Sequence, residues 1–154
     1  KKNDWVFAPS TSNKKKFLEL FLNKKPKNWF LVGKLGEISR KDTISRVWFD
    51  DYQVMLASCS AVFIGNEFHN RVSGIFYEAV GMKKQVFMPR CKFSIEMKQK
   101  FPSLIQILEE IDEKIQINNI VNDDWCLFMS ETNECNILNQ FEIAINYAVG
   151  LSAN

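Results

Sequence analysis

The residues best suited to chemistry in this 154-residue chain lie between Gly65 and Glu78. Helical periodicity begins at Ser73-Gly74. Free backbone N–H groups at a helix start attract a phosphate, and the helix dipole adds to that attraction. Gly74 lets a ligand approach the backbone closely. The Ser73 hydroxyl either donates to a phosphate oxygen or simply caps the helix. Glu78 stands one turn further on, where a carboxylate can accept two hydroxyl hydrogen bonds from a ribose or a sugar, or face solvent. The preceding loop carries His69, Asn70 and Arg71. His69 is either a phosphate donor or base, or a surface histidine. Arg71 is either a phosphate clamp or an ordinary surface arginine, and Asn70 is a further polar candidate beside it. Ser10 and Thr11 either line the same crevice or serve as turn residues.

Other chemistries find no support. The chain has no GxGxxG and no GxxxxGK[ST], the two glycine-rich phosphate fingerprints, and no GxSxG nucleophile elbow. His69 is the only histidine, which disfavours histidine-based metal sites. Four cysteines, Cys59, Cys91, Cys126 and Cys135, form no CxxC pair, and three lie in or beside apolar segments. They read as buried free thiols in a reducing, cytoplasmic compartment. A net charge of +2, with basic clusters only at Lys14–Lys16, Lys24–Lys25 and Lys83–Lys84, gives no reason to expect a nucleic-acid partner. No apolar run approaches the length of a membrane span.

The elements that must position these residues alternate. Trp5 to Pro9, Asn28 to Val32, Ala61 to Ile64 and Gln85 to Met88 are continuous apolar runs closed by proline or glycine, the pattern of buried strands. Ile44 to Phe49 and Trp125 to Met129 read as shorter strands. Ser12 or Asn13 is expected to cap a helix over Lys14 to Asn23, with Phe17, Leu18, Phe21 and Leu22 on one face. Asp50 or Asp51 starts a second helix ending near Cys59. A third runs from Ser73-Gly74 to Gly81-Met82, with Ile75, Phe76, Ala79 and Val80 apolar. Ile95 to Phe101 and Ser103 to Ile111 look helical on either side of Pro102, and Glu134 to Val149 forms a last helix. Such alternation predicts one α/β domain over residues 1–154, a doubly wound, Rossmann-like parallel sheet with helices on both faces. Ligands gather beyond the carboxyl ends of such strands, where the loops named above meet.

The segment Ser73-Gly-Ile-Phe-Tyr-Glu-Ala-Val-Gly-Met-Lys-Lys-Gln-Val86 resembles "S-x-hydrophobic-x-x-E-A-x-x-x-x-K-x-V" of GT-B-type glycosyltransferases, in their C-terminal nucleotide-sugar-binding domain. Those with a serine at the helix start include capsular polysaccharide, glycerophosphate and sialic-acid transferases. Trp5 to Ser12 is similar to the first strand and loop of that domain, and Asp50 to Gly65 to the helix and strand before the donor loop. The resemblance implies a donor-binding domain of polysaccharide or glycoconjugate biosynthesis. It would hold the donor phosphates at Ser73 and Gly74 and the ribose at Glu78, with no cofactor besides the nucleotide sugar. It also implies an acceptor domain or subunit missing from this chain, which starts without a methionine and reads as the C-terminal half of a larger enzyme. The place would be the cytoplasm, free or peripheral to the inner membrane face. Two departures stand out. A His-Pro pair found in some of these transferases is replaced by Leu35-Gly36-Glu37, and a glutamate eight residues before Glu78 by Asn70. Two other readings remain: a complete small nucleoside- or nucleotide-processing enzyme of the deoxyribosyltransferase-like type, with Glu67 or Glu78 as nucleophile or base, and a non-catalytic interaction domain with a vestigial pocket.

Overall fold

The computed structural model describes residues 4–69 and 72–133. Six strands, β1 (Trp5–Ala8), β2 (Phe30–Gly33), β3 (Thr43–Ser45), β4 (Ala61–Phe63), β5 (Gln85–Met88) and β6 (Ile105–Ile107), form one sheet. All pairings are parallel, in the order β3-β2-β1-β4-β5-β6. This is the doubly wound, Rossmann-like order, in which the chain reverses direction between β1 and β4. Successive side chains of a strand leave on opposite faces. Phe7, Val62, Ile64, Val86, Met88 and Ile105 therefore enter one core, and Val6, Ala8, Leu31, Ala61, Phe63 and Phe87 the other.

Helices cover both faces, as the unbroken apolar runs require. On one face lies α1 (Lys15–Lys24), burying Phe17, Leu18, Phe21 and Leu22, the four residues expected from their spacing. On the other lie α2 (Tyr52–Ser58), α3 (Gly74–Gly81), α4 (Lys92–Lys100) and α5 (Asn122–Glu131), which contribute Leu56, Phe76, Ala79, Val80, Phe93 and Phe128. A ring cluster of Phe76, Tyr77, Phe93, Phe101 and Phe128 joins α3, α4 and α5. Between β2 and β3 there is no helix, only residues 34–42.

Several expectations need correction. Ser103 to Ile111 is not a helix: Ile105 and Ile107 are buried with Gln106 between them, so the period is two, and β6 followed by a 3-10 turn over Leu108–Glu110 results. Trp125 to Met129 is not a strand. It lies inside α5, whose first turn carries Asp123 and Asp124, charges that favour a helix start. The indole N–H of Trp125 donates to the Val80 carbonyl at 3.0 Å, and Phe128 alone of α5 is buried. The strand expected over Ile44 to Phe49 ends at Ser45, leaving Val47 and Trp48 exposed. Cys59 and Cys91 are buried free thiols as expected, but Cys126 is exposed. The helix expected over Glu134 to Val149, with Cys135, lies outside the described residues. No helix among the described residues is long and apolar enough to cross a membrane.

Candidate functional site

Because every strand is parallel, the loops after β1, β2, β4 and β5 gather at one edge. At the reversal point the edge is bridged. The Lys14 amide donates to the Gly65 carbonyl at 2.7 Å, and the Gly65 amide donates to Asn13 Oδ1 at 2.8 Å. Asn13 Nδ2 donates to the carbonyls of Ala8 and Lys34, both at 3.4 Å. Asn13, expected to cap α1, instead ties together the ends of β1, β2 and β4. Ser12 does not cap the helix either: α1 starts after Lys14 with no side-chain cap. Gly65 is required at this junction, since a Cβ there would lie 2.7 Å from the Phe63 ring.

Charge reinforces the bridge. The Lys14 ammonium pairs with the Glu67 carboxylate, and Lys16 stands 3.7 Å from it. The hydrogen bond from Lys14 chiefly holds the Glu67 carboxyl below its ordinary range; burial, the next influence in size, works the other way, and nearby charge, that of Lys14 first, lowers it further. A carboxylate so held is a poor base.

The expected site residues fall around this bridge. Ser73 is buried at the N-cap of α3, where its Oγ accepts from the Phe76 amide at 3.3 Å. The capping role is therefore present. It leaves the amides of Gly74 and Ile75 without a partner among the described residues, because a helix supplies no acceptor for its first N–H groups. Gly74 is exposed, and nothing lies within 4 Å of where its Cβ would be. Glu78 is exposed and accepts a hydrogen bond from the Tyr52 hydroxyl at 2.7 Å. Tyr52 opens α2, and its ring packs on Phe7 with centroids 5.6 Å apart. Burial, then the bond to Glu78, pushes the Tyr52 hydroxyl far above its ordinary pKa, so it remains a donor. His69 is exposed on the loop before α3. Ser10 is buried and accepts from the Ser12 amide at 3.3 Å, whereas Thr11 is exposed. Asn70 and Arg71 lie outside the described residues.

Two hollows flank these groups. One, of about 920 Å³, lies between α1 and the β2–β3 loop and includes Thr11 and Asn13. The other, of about 690 Å³, lies among α3, α4 and α5 and has Glu78, Tyr77 and Lys100 in its wall. Ser73 and Gly74 line neither. Sequence reasoning brought out the α3 start and Glu78 but missed Tyr52, whose partner is 26 residues away, and the bridging role of Asn13. Among the described residues no group of three or more His, Cys, Asp or Glu side chains could hold a metal ion.

Sheet order and edge together define a Rossmann-like α/β domain. Beyond that class, no known protein family, curated protein or solved structure matches the chain.

Proposed function

We propose that this domain is the nucleotide-sugar-binding half of a glycosyltransferase, taking the donor's diphosphate at the start of α3. The observation that carries the reading is the pair of amides of Gly74 and Ile75, which have no partner among the described residues and open onto free space at Gly74. A phosphate group is the ligand best matched to such a turn. Glu78 supplies the second contact. It sits four residues along α3, a rise of about 6 Å from Gly74. Tyr52 holds one of its carboxylate oxygens, which leaves the other to accept a ribose or sugar hydroxyl. The domain's part in catalysis would be electrostatic support of the departing diphosphate. The acceptor and its base would come from a second domain or subunit.

The test is a thermal-shift panel of CMP, CDP, UDP and GDP with their sugar esters, run on the wild-type chain and on Gly74→Pro. Proline suits the first helical position and removes one of the two free amides. Ser73 before it is already extended (φ −102°, ψ 111°), as a residue preceding proline must be. The expected result is a rise in Tm with at least one diphosphate, about 2.7 kcal/mol of stabilisation at a hundred times Kd. Gly74→Pro should melt like the wild type without ligand and lose most of that rise. No response to any nucleotide, or an equal response in Gly74→Pro, overturns the reading.

A further inference from the structure

The β1–β2–β3 side of the edge holds a cleft that donor binding at α3 does not use. It exists because β2 passes to β3 through residues 34–42 without a helix, so one flank of α1 stays uncovered. Gly36, with φ 62°, turns this loop back on itself. The cleft, about 920 Å³, stands outside the ends of three parallel strands and is within the size range of small-molecule sites.

Its wall carries four cations, Lys15, Lys34, Arg40 and Arg46, and two carboxylates, Glu19 and Glu37, and strand register sets the place of two of the cations. Gly33 of β2 pairs with Ser45 of β3, and the Arg46 amide continues the ladder to the Gly33 carbonyl at 2.9 Å. Lys34 and Arg46 are the next residues in that register. They directly follow the ends of β2 and β3, and both line the cleft. Neither is neutralised closely: Arg46 reaches Asp51 only at 3.8 Å, and Lys34 has no carboxylate within 4.0 Å among the described residues. Lys15, also in the wall, meets Glu19 at 3.9 Å on an exposed surface. Arg40, by contrast, is engaged by Asp42 through two bonds of 3.1 and 3.3 Å.

We infer that this cleft binds a phosphorylated sugar, with its phosphate between Lys34 and Arg46. A dianion supplies the counter-charge that Lys34 lacks among the described residues, and the guanidinium fork of Arg46 fits phosphate oxygens. The cleft is too large for phosphate alone. The rest of its wall offers Thr11, Ser39 and Glu37, groups that hydrogen-bond sugar hydroxyls.

The test titrates a hexose 6-phosphate, the unphosphorylated hexose, and sodium sulfate at matched ionic strength, following Tm and binding heat. The proteins are the wild type, Lys34→Gln/Arg46→Gln, and Gly74→Pro. The sugar phosphate should raise the Tm of the wild type and of Gly74→Pro equally, and the unphosphorylated hexose should not. The double variant should melt close to the wild type without ligand, since both side chains stand on the surface of the cleft, and bind at least tenfold more weakly. No rise in the wild type, the same rise in the double variant, or the same rise with sulfate overturns the inference. Loss of the rise in Gly74→Pro would move the anion to α3, which removes this site while leaving the nucleotide reading intact.

Discussion

The two halves of the carboxyl edge are built from the same kind of loop and end in opposite states. Between β1 and β4, where the winding reverses and a crevice is expected, the chain has closed the gap. Asn13 spans it, and Lys14 meets Glu67 across it. Over β2 and β3 the gap is open, and Lys34 and Arg46 both line it. Topology sets where a crevice can form. In the closed half an amide bridge and an ion pair cross the gap, whereas in the open half Lys34 has no carboxylate partner among the described residues. Asn13 belongs to both halves, since its oxygen serves Gly65 on one side and its nitrogen serves Lys34 on the other.

The β2–β3 half is anchored at its other, amino end by a buried ion pair, and removing that pair should have the largest effect. Lys25, its side chain 1% exposed, donates to Asp42 at 2.8 Å and to the Trp29 carbonyl at 2.7 Å. Asp42 leads directly into β3, and its carbonyl accepts from Leu31. Asp42→Asn leaves a buried ammonium without a counter-charge and should cost about 3 kcal/mol in urea unfolding. The loss should depend on pH. Burial by itself raises the Asp42 carboxyl, but hydrogen bonds and attraction from Lys25 and then Arg40 outweigh it and hold the group below 3.8. A depressed folded pKa gives stability that is present above the unfolded pKa and lost as pH falls through the folded one. The gap between wild type and Asp42→Asn should therefore narrow below about pH 3.8. A gap that is small at neutral pH, or constant into acid, would show that the open half is held by something else.

The bridged half should respond less. Asn13→Ala removes the acceptor for the Gly65 amide and the donor to two carbonyls, a loss of about 1–2 kcal/mol. Its signature is local: hydrogen exchange at the Gly65 amide should speed up more than at the amides of β5. Uniform acceleration would mean that Asn13 supports the sheet as a whole and is not specific to the bridge.

These contrasts mark how far the sequence can be read. Trp5–Ala8, Ala61–Phe63 and Gln85–Met88 are legible because a strand buried on both faces has to be apolar throughout. β6 is not, since Leu104, Ile105, Leu108 and Ile111 fit a helical stripe as well as they fit a three-residue strand with its flanks. The aromatic and aliphatic content of Trp125 to Met129 suggests a strand, yet in a helix only Phe128 is buried and Trp125 half-buried, and ring stacking of Phe128 against Tyr77 takes the place of sheet pairing. The α3 start is legible because its signals are local: Ser73, Gly74 and Glu78 lie within one turn or so. Asn13 and Tyr52 act through partners 52 and 26 residues away, and the Lys34–Arg46 juxtaposition needs strand register. Local chemistry could be read directly; chemistry made by the fold could not.

The smallest expected change in stability has the sharpest functional readout. Tyr52→Phe keeps the ring against Phe7 and deletes only the hydroxyl that holds Glu78. Because Glu78 is exposed, water can replace that donor, and the loss should stay under about 1 kcal/mol. The consequence for binding is different. A carboxylate fixed on one oxygen presents the other in a single orientation, whereas a freed Glu78 must be ordered by the ligand itself. Tyr52→Phe should therefore reduce, severalfold, the preference for a ribonucleoside diphosphate over its 2′,3′-dideoxy form, while leaving the affinity for the dideoxy form unchanged. A preference retained in full would make the Tyr52–Glu78 bond a surface contact. A parallel loss for both forms would place Tyr52 in support of the α3 start itself.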